Sequence, residues 1–215
     1  LQMERAGADN RIDEPVMANA VKMAKAYTYL VNLGSPNTAD ADGVCASQAV
    51  DVSEADAVIN GALAASGVAT FDVPRGVIAA WTGAAVCTVT GTDEYGDVVV
   101  ESSASGTSLA GKKAFKTITN VAFSADVTGA TVGTGDVLGL PVFLPATGLV
   151  VKEIIDGAAG TAGTLVAGST AKPTATTGDV RGTYDPNSAM NGSVQVALLI
   201  ELPDPDNKGL DNYEG

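Results

Sequence analysis

The sequence predicts an all-β protein: a β-sandwich or barrel-like domain of about ten short strands, with an extended N-terminal arm. Three observations carry that expectation. Hydrophobic residues make up 46% of the 215 positions, yet aromatics are only 5% and charged residues 17%, so the apolar content is mostly Ala and Val. Val, Thr, Gly and Ala together suit short strands joined by tight turns, and the shortage of Lys and Glu disfavours a helical bundle. Period-two alternation recurs between turn signals about every 8–12 residues, and no helical periodicity runs beyond two turns.

Residues 1–25 are poor in core-forming side chains and crowded with Glu4, Arg5, Asp9, Arg11, Asp13 and Glu14. They read as an arm that frays or lies on a neighbour. A helical spacing at Ala20, Met23, Tyr27 and Leu30 competes with strand alternation at Tyr27, Tyr29, Val31 and Leu33. The strand is the better reading. Gly34–Gly43 is a loop by composition. Ala46–Val52, Ile59–Leu63 and Val68–Val73 read as strands, the last two linked through Ala64–Gly67. Pro74 is expected to end that run, which resumes over Val77–Trp81.

Ala85–Ser103 is the clearest hairpin. Its turn, Gly91–Asp97, has glycines at 91 and 96, which supply the positive φ of a longer hairpin loop. Ala114–Phe123 alternates as another strand, entered through Gly111, Lys112 and Lys113 at a turn. Leu140–Val151 is interrupted by Pro141 and Pro145 and reads as a bent or edge strand. Lys152–Ile155 and Thr164–Ala167 are short, and Ser193–Leu202 is a strong final strand. The organisation is therefore an arm over 1–25, a β-sandwich domain over 26–202 and a polar tail over 203–215, read as poorly ordered. No repeat of fixed period appears, which disfavours a solenoid or propeller.

A chain of 21.4 kDa exposes roughly 9,000 Å² when folded against about 31,000 Å² unfolded, enough burial to fold without staples. Twelve basic against 25 acidic residues give a formal charge of −13, which argues against binding nucleic acid or anionic membranes. The chain has no histidine, which removes Ser-His-Asp and Cys-His catalysis and imidazole zinc sites. No run of 18 apolar residues predicts a membrane span, and no basic-then-apolar leader is visible at Leu1–Asn10. Cys45 and Cys87 could pair, but two buried thiols acting as small hydrophobes is the simpler reading.

Each motif that suggests chemistry has a plainer reading. Gly133-Thr-Gly-Asp-Val-Leu-Gly139 is one residue too long for a dinucleotide loop and runs into Leu140-Pro141 rather than a helix. It reads as a glycine-rich turn that lets one strand cross another. Asp204-Pro-Asp-Asn-Lys-Gly209 begins like a calcium loop, but Lys208 stands where a ligand belongs. Asp40-Ala-Asp-Gly43 is too short, and Asp93, Glu94 and Asp97 read as a solvated acidic turn. Glu94, Glu101 and Glu153 could in principle pair for glycoside hydrolysis. Each falls on a turn or an alternating strand, and beyond Tyr and Phe only Trp81, itself read as core, could stack a sugar. The expectation is a protein that is not an enzyme and needs no cofactor or metal. Arg5, Arg11, Lys112, Lys113 and Lys116 are the candidate partner contacts. The last three are a charged strand entrance on the plainer reading.

Five phrases stand together: Phe71-Asp-Val-Pro-Arg75, Thr88-Val-Thr-Gly-Thr-Asp-Glu-Tyr-Gly96, Gly111-Lys-Lys-Ala-Phe-Lys-Thr-Ile-Thr119, Gly133-Thr-Gly-Asp-Val-Leu-Gly-Leu-Pro141 and Arg181-Gly-Thr-Tyr184. Their series resembles small β-rich virion structural proteins of tailed bacteriophages, in particular the head decoration or cement group. The resemblance covers residues 68–186 and not the arm. It implies a protein made in the host cytoplasm and displayed in many copies on the capsid surface. There it would contact the major capsid protein and neighbouring copies of itself, as a homo-oligomer, dimer or trimer. Other expectations left open are another virion part (major capsid, tail or fibre protein) and an adhesin or carbohydrate-binding β-sandwich module.

Overall fold

A computed structural model describes residues 27–202 and 206–209. The arm at 1–25, with Arg5 and Arg11, lies outside the described residues. The architecture is all-β, in two antiparallel sheets. Among the described residues the only helix is one 3₁₀ turn, Thr147–Leu149.

The smaller sheet contains β1 (Tyr27–Gly34), β13 (Val196–Leu202), β9 (Val150–Ile155) and β10 (Ala158–Ala159), in that spatial order. The first and last of the thirteen described strands are therefore neighbours, Leu30 opposite Leu199. The larger sheet runs β11 (Thr164–Ala167), β12 (Gly182–Asp185), β8 (Val127–Gly139), β4 (Val68–Ala85), β7 (Gly106–Phe123), β5 (Cys87–Thr92) and β6 (Val98–Ser102). β2 (Cys45–Val50) pairs with β8, and β3 (Ala64–Ala65) pairs with β4.

The large sheet curls around its own core. Phe71, Val77 and Trp81 of β4 meet Cys87 and Val89 of β5, Phe115 and Ile118 of β7 and Val132 of β8 in one buried cluster. Trp81 stacks edge-on to Phe123 with centroids 5.2 Å apart, so its core assignment holds. A second cluster forms where the small sheet covers the other end. Leu33, Val196, Leu198, Ile200 and Leu202 pack there on Leu138, Leu165 and Tyr184.

Four sequence expectations are corrected. Ile59–Leu63 is not a strand. The chain turns there into the small hairpin β3–β4, whose two turn residues, Ser66 and Gly67, both have positive φ, the type I′ arrangement. Pro74 does not end a strand. β4 continues through it because the ladder is already broken: Thr70 faces Thr117, and the next pair is Arg75 with Phe115. Four residues on β4 therefore lie opposite one on β7 between these pairs, and a proline is tolerated within such a bulge.

Lys112 and Lys113 lie inside β7, not at a turn, and they occupy a compensating bulge between the pairs Ile78–Ala110 and Gly76–Ala114. Finally, residues 140–146 carry no strand, while the glycine-rich 127–139 segment is a central strand of 13 residues. What crosses at Gly133 is a loop and not a strand: a Cβ there would stand 1.8 Å from the carbonyl oxygen of Asp40, where the 35–43 loop passes over β8.

Candidate partner-binding surface and its buried supports

The bulge at Gly111–Ala114 leaves backbone amides that the ladder does not satisfy. Two carboxylates take them. Glu101, on β6 two strands away in the sheet, accepts from the amides of Lys112 (2.5 Å) and Lys113 (3.3 Å). Asp179 accepts from the amide of Ala114 at 3.0 Å, and from those of Arg181 and Gly182. Burial of Glu101 pushes its pKa up to about 7 against the opposing pull of those two amides. Burial likewise raises Asp179 and lowers Lys113. Lys113 is only 1% exposed and donates to the carbonyl of Thr174 at 2.7 Å. Ser102 donates its amide to Ala175 at 2.6 Å. The 168–181 loop is thus fastened over β6 and β7 by buried charge and backbone together.

A second fastening lies at the β5–β6 hairpin. Asp93 is buried rather than solvated. It accepts from the amides of Tyr95 and Asp97 and pairs with Arg181 Nη2 at 2.6 Å. The guanidinium of Arg181 lies over the Tyr95 ring at 5.0 Å, and the ammonium of Lys208 lies at 4.3 Å. Lys208 belongs to the described part of the tail, residues 206–209, which is docked: Phe143 donates its amide to the carbonyl of Asn207.

A third fastening is Arg75, fully buried, whose Nε donates to Gly135 and whose Nη1 donates to Asn37. Nη2 has no hydrogen-bond partner and stands 3.9 Å from Asp136. A fourth is Glu153 of β9, which accepts from the Tyr184 hydroxyl at 2.6 Å and the Gly163 amide at 3.0 Å. It ties the small sheet to β12.

These placements redistribute the candidate contacts. Of the three lysines, Lys113 faces inward. Lys116 directs its ammonium to the carbonyls of Phe71 (2.7 Å) and Asp72 (2.8 Å). Lys112 alone of the three is exposed. Glu94 sits on the hairpin tip, while Glu101 and Glu153 are the buried supports just described. No group of three or more acidic or cysteine side chains could hold a metal among the described residues. Cys45 and Cys87 are free, buried thiols, pushed up to about 11 and about 12 by burial. No helix among the described residues is long and apolar enough to cross a membrane.

What the surface offers instead is apolar. Across the bend of β4, β7 and β8, a cleft of about 240 Å³ is floored by Gly76, Ile78, Gly111 and Gly135, with Asp136 and Asp185 on its rim. On the small sheet, Leu30 is 63% exposed and Tyr27 45%. Sequence reasoning missed the buried roles of Asp93, Glu101 and Asp179, because each serves amides or cations that are distant in sequence. No family model, curated protein or solved structure matches the chain.

Proposed function

We propose that this chain is a structural virion protein of a tailed bacteriophage, a decoration or cement protein that binds the outer shell and stabilises the head. One observation carries the reading furthest. The five phrases behind the resemblance fall on or beside β12, β8, β4, β7 and β5, a contiguous run of one sheet. They also contribute Arg75, Asp93, Lys113 and Arg181, buried charges that fasten loops to that sheet. The resembling residues therefore act as one mechanical unit. Such fastening suits a protein whose work is to stay folded on a particle. Breaking a buried pair from one side is strongly destabilising, so each fastening resists piecemeal loosening of its loop. A charge of −13 keeps free protein soluble before assembly.

The test is copy number. Particles from the source culture are purified on a density gradient, and the chain is quantified by mass spectrometry. Hundreds of copies per particle, released by mild destabilisation with a fall in the head's thermal resistance, support cement. Copies near roughly 6 or 12, as a closed ring supplies, move the protein to the tail or portal. Absence from every particle discards the virion reading in favour of a binding module, which a glycan- or calcium-dependent rise in Tm would then reveal.

A further inference from the structure

β1 is an edge strand that nothing among the described residues covers. It pairs with β13 on one side only. The other exposed edges are each blunted. β3 and β10 have two residues each and β11 four. β6 is met by the carbonyl of Ala175. The free side of β2 is closed by the Gln48 side chain, which bonds both the amide and the carbonyl of Val58, and by Asn60, which accepts from Ala46. β1 has eight residues, Tyr-Thr-Tyr-Leu-Val-Asn-Leu-Gly, with no charge and no proline. Natural sheets rarely leave so long and neutral an edge without a partner.

We infer that the partner is β1 of a second copy, paired antiparallel across a two-fold axis normal to the sheet and centred on Leu30. A two-fold interface must be self-complementary, because each residue that faces position j is itself faced by the copy of j. For a chain of charge −13 that is a severe condition, since like charges would stand opposite one another. β1 meets it, being neutral throughout. Centring on Leu30 keeps each face with its own kind: Tyr29 meets Val31, Thr28 meets Asn32 and Tyr27 meets Leu33 of the second copy. Tyr–Val is the favourable aromatic–β-branched pairing. The Leu30, Tyr29–Val31 and Thr28–Asn32 pairs use the run over which β1 is regularly paired with β13, and only Tyr27–Leu33 reaches the irregularity between Asn32 and Gly34.

On the outer face Leu30 already lies beside Leu199, and Leu199 beside Lys152. The dimer would extend that row to four leucines flanked by two lysines, covering the most exposed large apolar side chain of the described fold. The two four-stranded sheets would become one of eight. This inference does not rest on the virion reading, since the dimer forms or fails in free solution.

The test uses cysteine placement in the full chain, whose own two thiols are buried. Directly opposed residues have Cα atoms about 5 Å apart, within disulfide reach. Leu30→Cys should therefore link to itself on mild oxidation and run as a dimer under non-reducing conditions. Thr28→Cys should not, because its own copy stands roughly 14 Å away along the strand. An equimolar mixture of Thr28→Cys and Asn32→Cys should link. Leu30→Lys places two ammonium groups face to face and should weaken association at least tenfold in sedimentation velocity, with unchanged circular dichroism and a Tm that no longer rises with protein concentration. Three results would overturn the inference: a chain monomeric at every concentration, which would leave this edge to residues 1–26 or to another partner; a Leu30→Cys variant that does not link; or equal linkage of Leu30→Cys and Thr28→Cys.

Discussion

At Gly111–Ala114 three consecutive amides are satisfied by carboxylates where a ladder would have used carbonyls. The geometry that makes Glu101 a good acceptor also removes it from water, and the second effect dominates its titration. With a folded pKa near 7 against about 4.3 in the unfolded chain, the folded state binds a proton that the unfolded state has released. The stability this group contributes is complete below about pH 4 and is lost as pH rises through 7, about 4 kcal/mol in all. Urea midpoints of the wild type should therefore fall between pH 5 and pH 8, and those of Glu101→Gln should fall much less. At pH 5 the variant should be about 1 kcal/mol weaker, because its amide nitrogen cannot accept from a backbone N–H. Equal pH slopes in both proteins would show that Glu101 is ionised in the fold. Nothing in the alternation of Val98–Ser102 announces this role. The amides it serves lie eleven and twelve residues away, and they are free only because β7 bulges there.

β8 shows what decides an element when propensity is weak. Its thirteen residues include three internal glycines, and the segment reads as a turn. It is nonetheless the strand that β2, β4 and β12 all pair with. Glycine weakens a strand in isolation, and here it lets a loop lie directly on the sheet: the Thr134 amide donates to Asp40 at 2.8 Å as the chain crosses Gly133. Gly133→Ala should cost about 2–3 kcal/mol in urea unfolding, since backbone must move to admit the methyl. Gly148→Ala, where nothing lies within 4 Å of the added atom, should stay within about 0.5 kcal/mol. Similar losses at both sites would refute a steric role for Gly133. The elements that could be read from sequence, β1, the β5–β6 hairpin and β13, are those with clear alternation or a continuous apolar run. Those that could not, β8 and β12, owe their conformation to neighbours on both sides.

Across the whole molecule the fold class could be read from composition and period alone, while the pairing order could not. Strand order depends on which apolar faces meet, and many strands here carry similar Val, Ala and Thr patterns. The location of charge was equally hidden: a chain with few charged residues buries several of them as fasteners. The two thiols offer a global readout of this arrangement. Both sit in the core that the large sheet wraps, with no exposed surface. A charged thiol reagent at pH 8 should leave the native chain unlabelled and modify two sites per chain once it is unfolded, with labelling following the main urea transition. Stoichiometric labelling of the native protein would show that the curled sheet opens on its own.

The pairing of β1 with β13 also dictates an order of events during synthesis. β1 leaves the ribosome before every other described strand, and the one described strand that pairs with it follows about 160 residues later. At about 5–20 residues per second, that is roughly ten to thirty seconds during which a neutral strand has neither edge satisfied. A nascent chain or a truncated product lacking β13 would carry that segment without its described partner, and the smaller sheet is completed only by the last of the described strands.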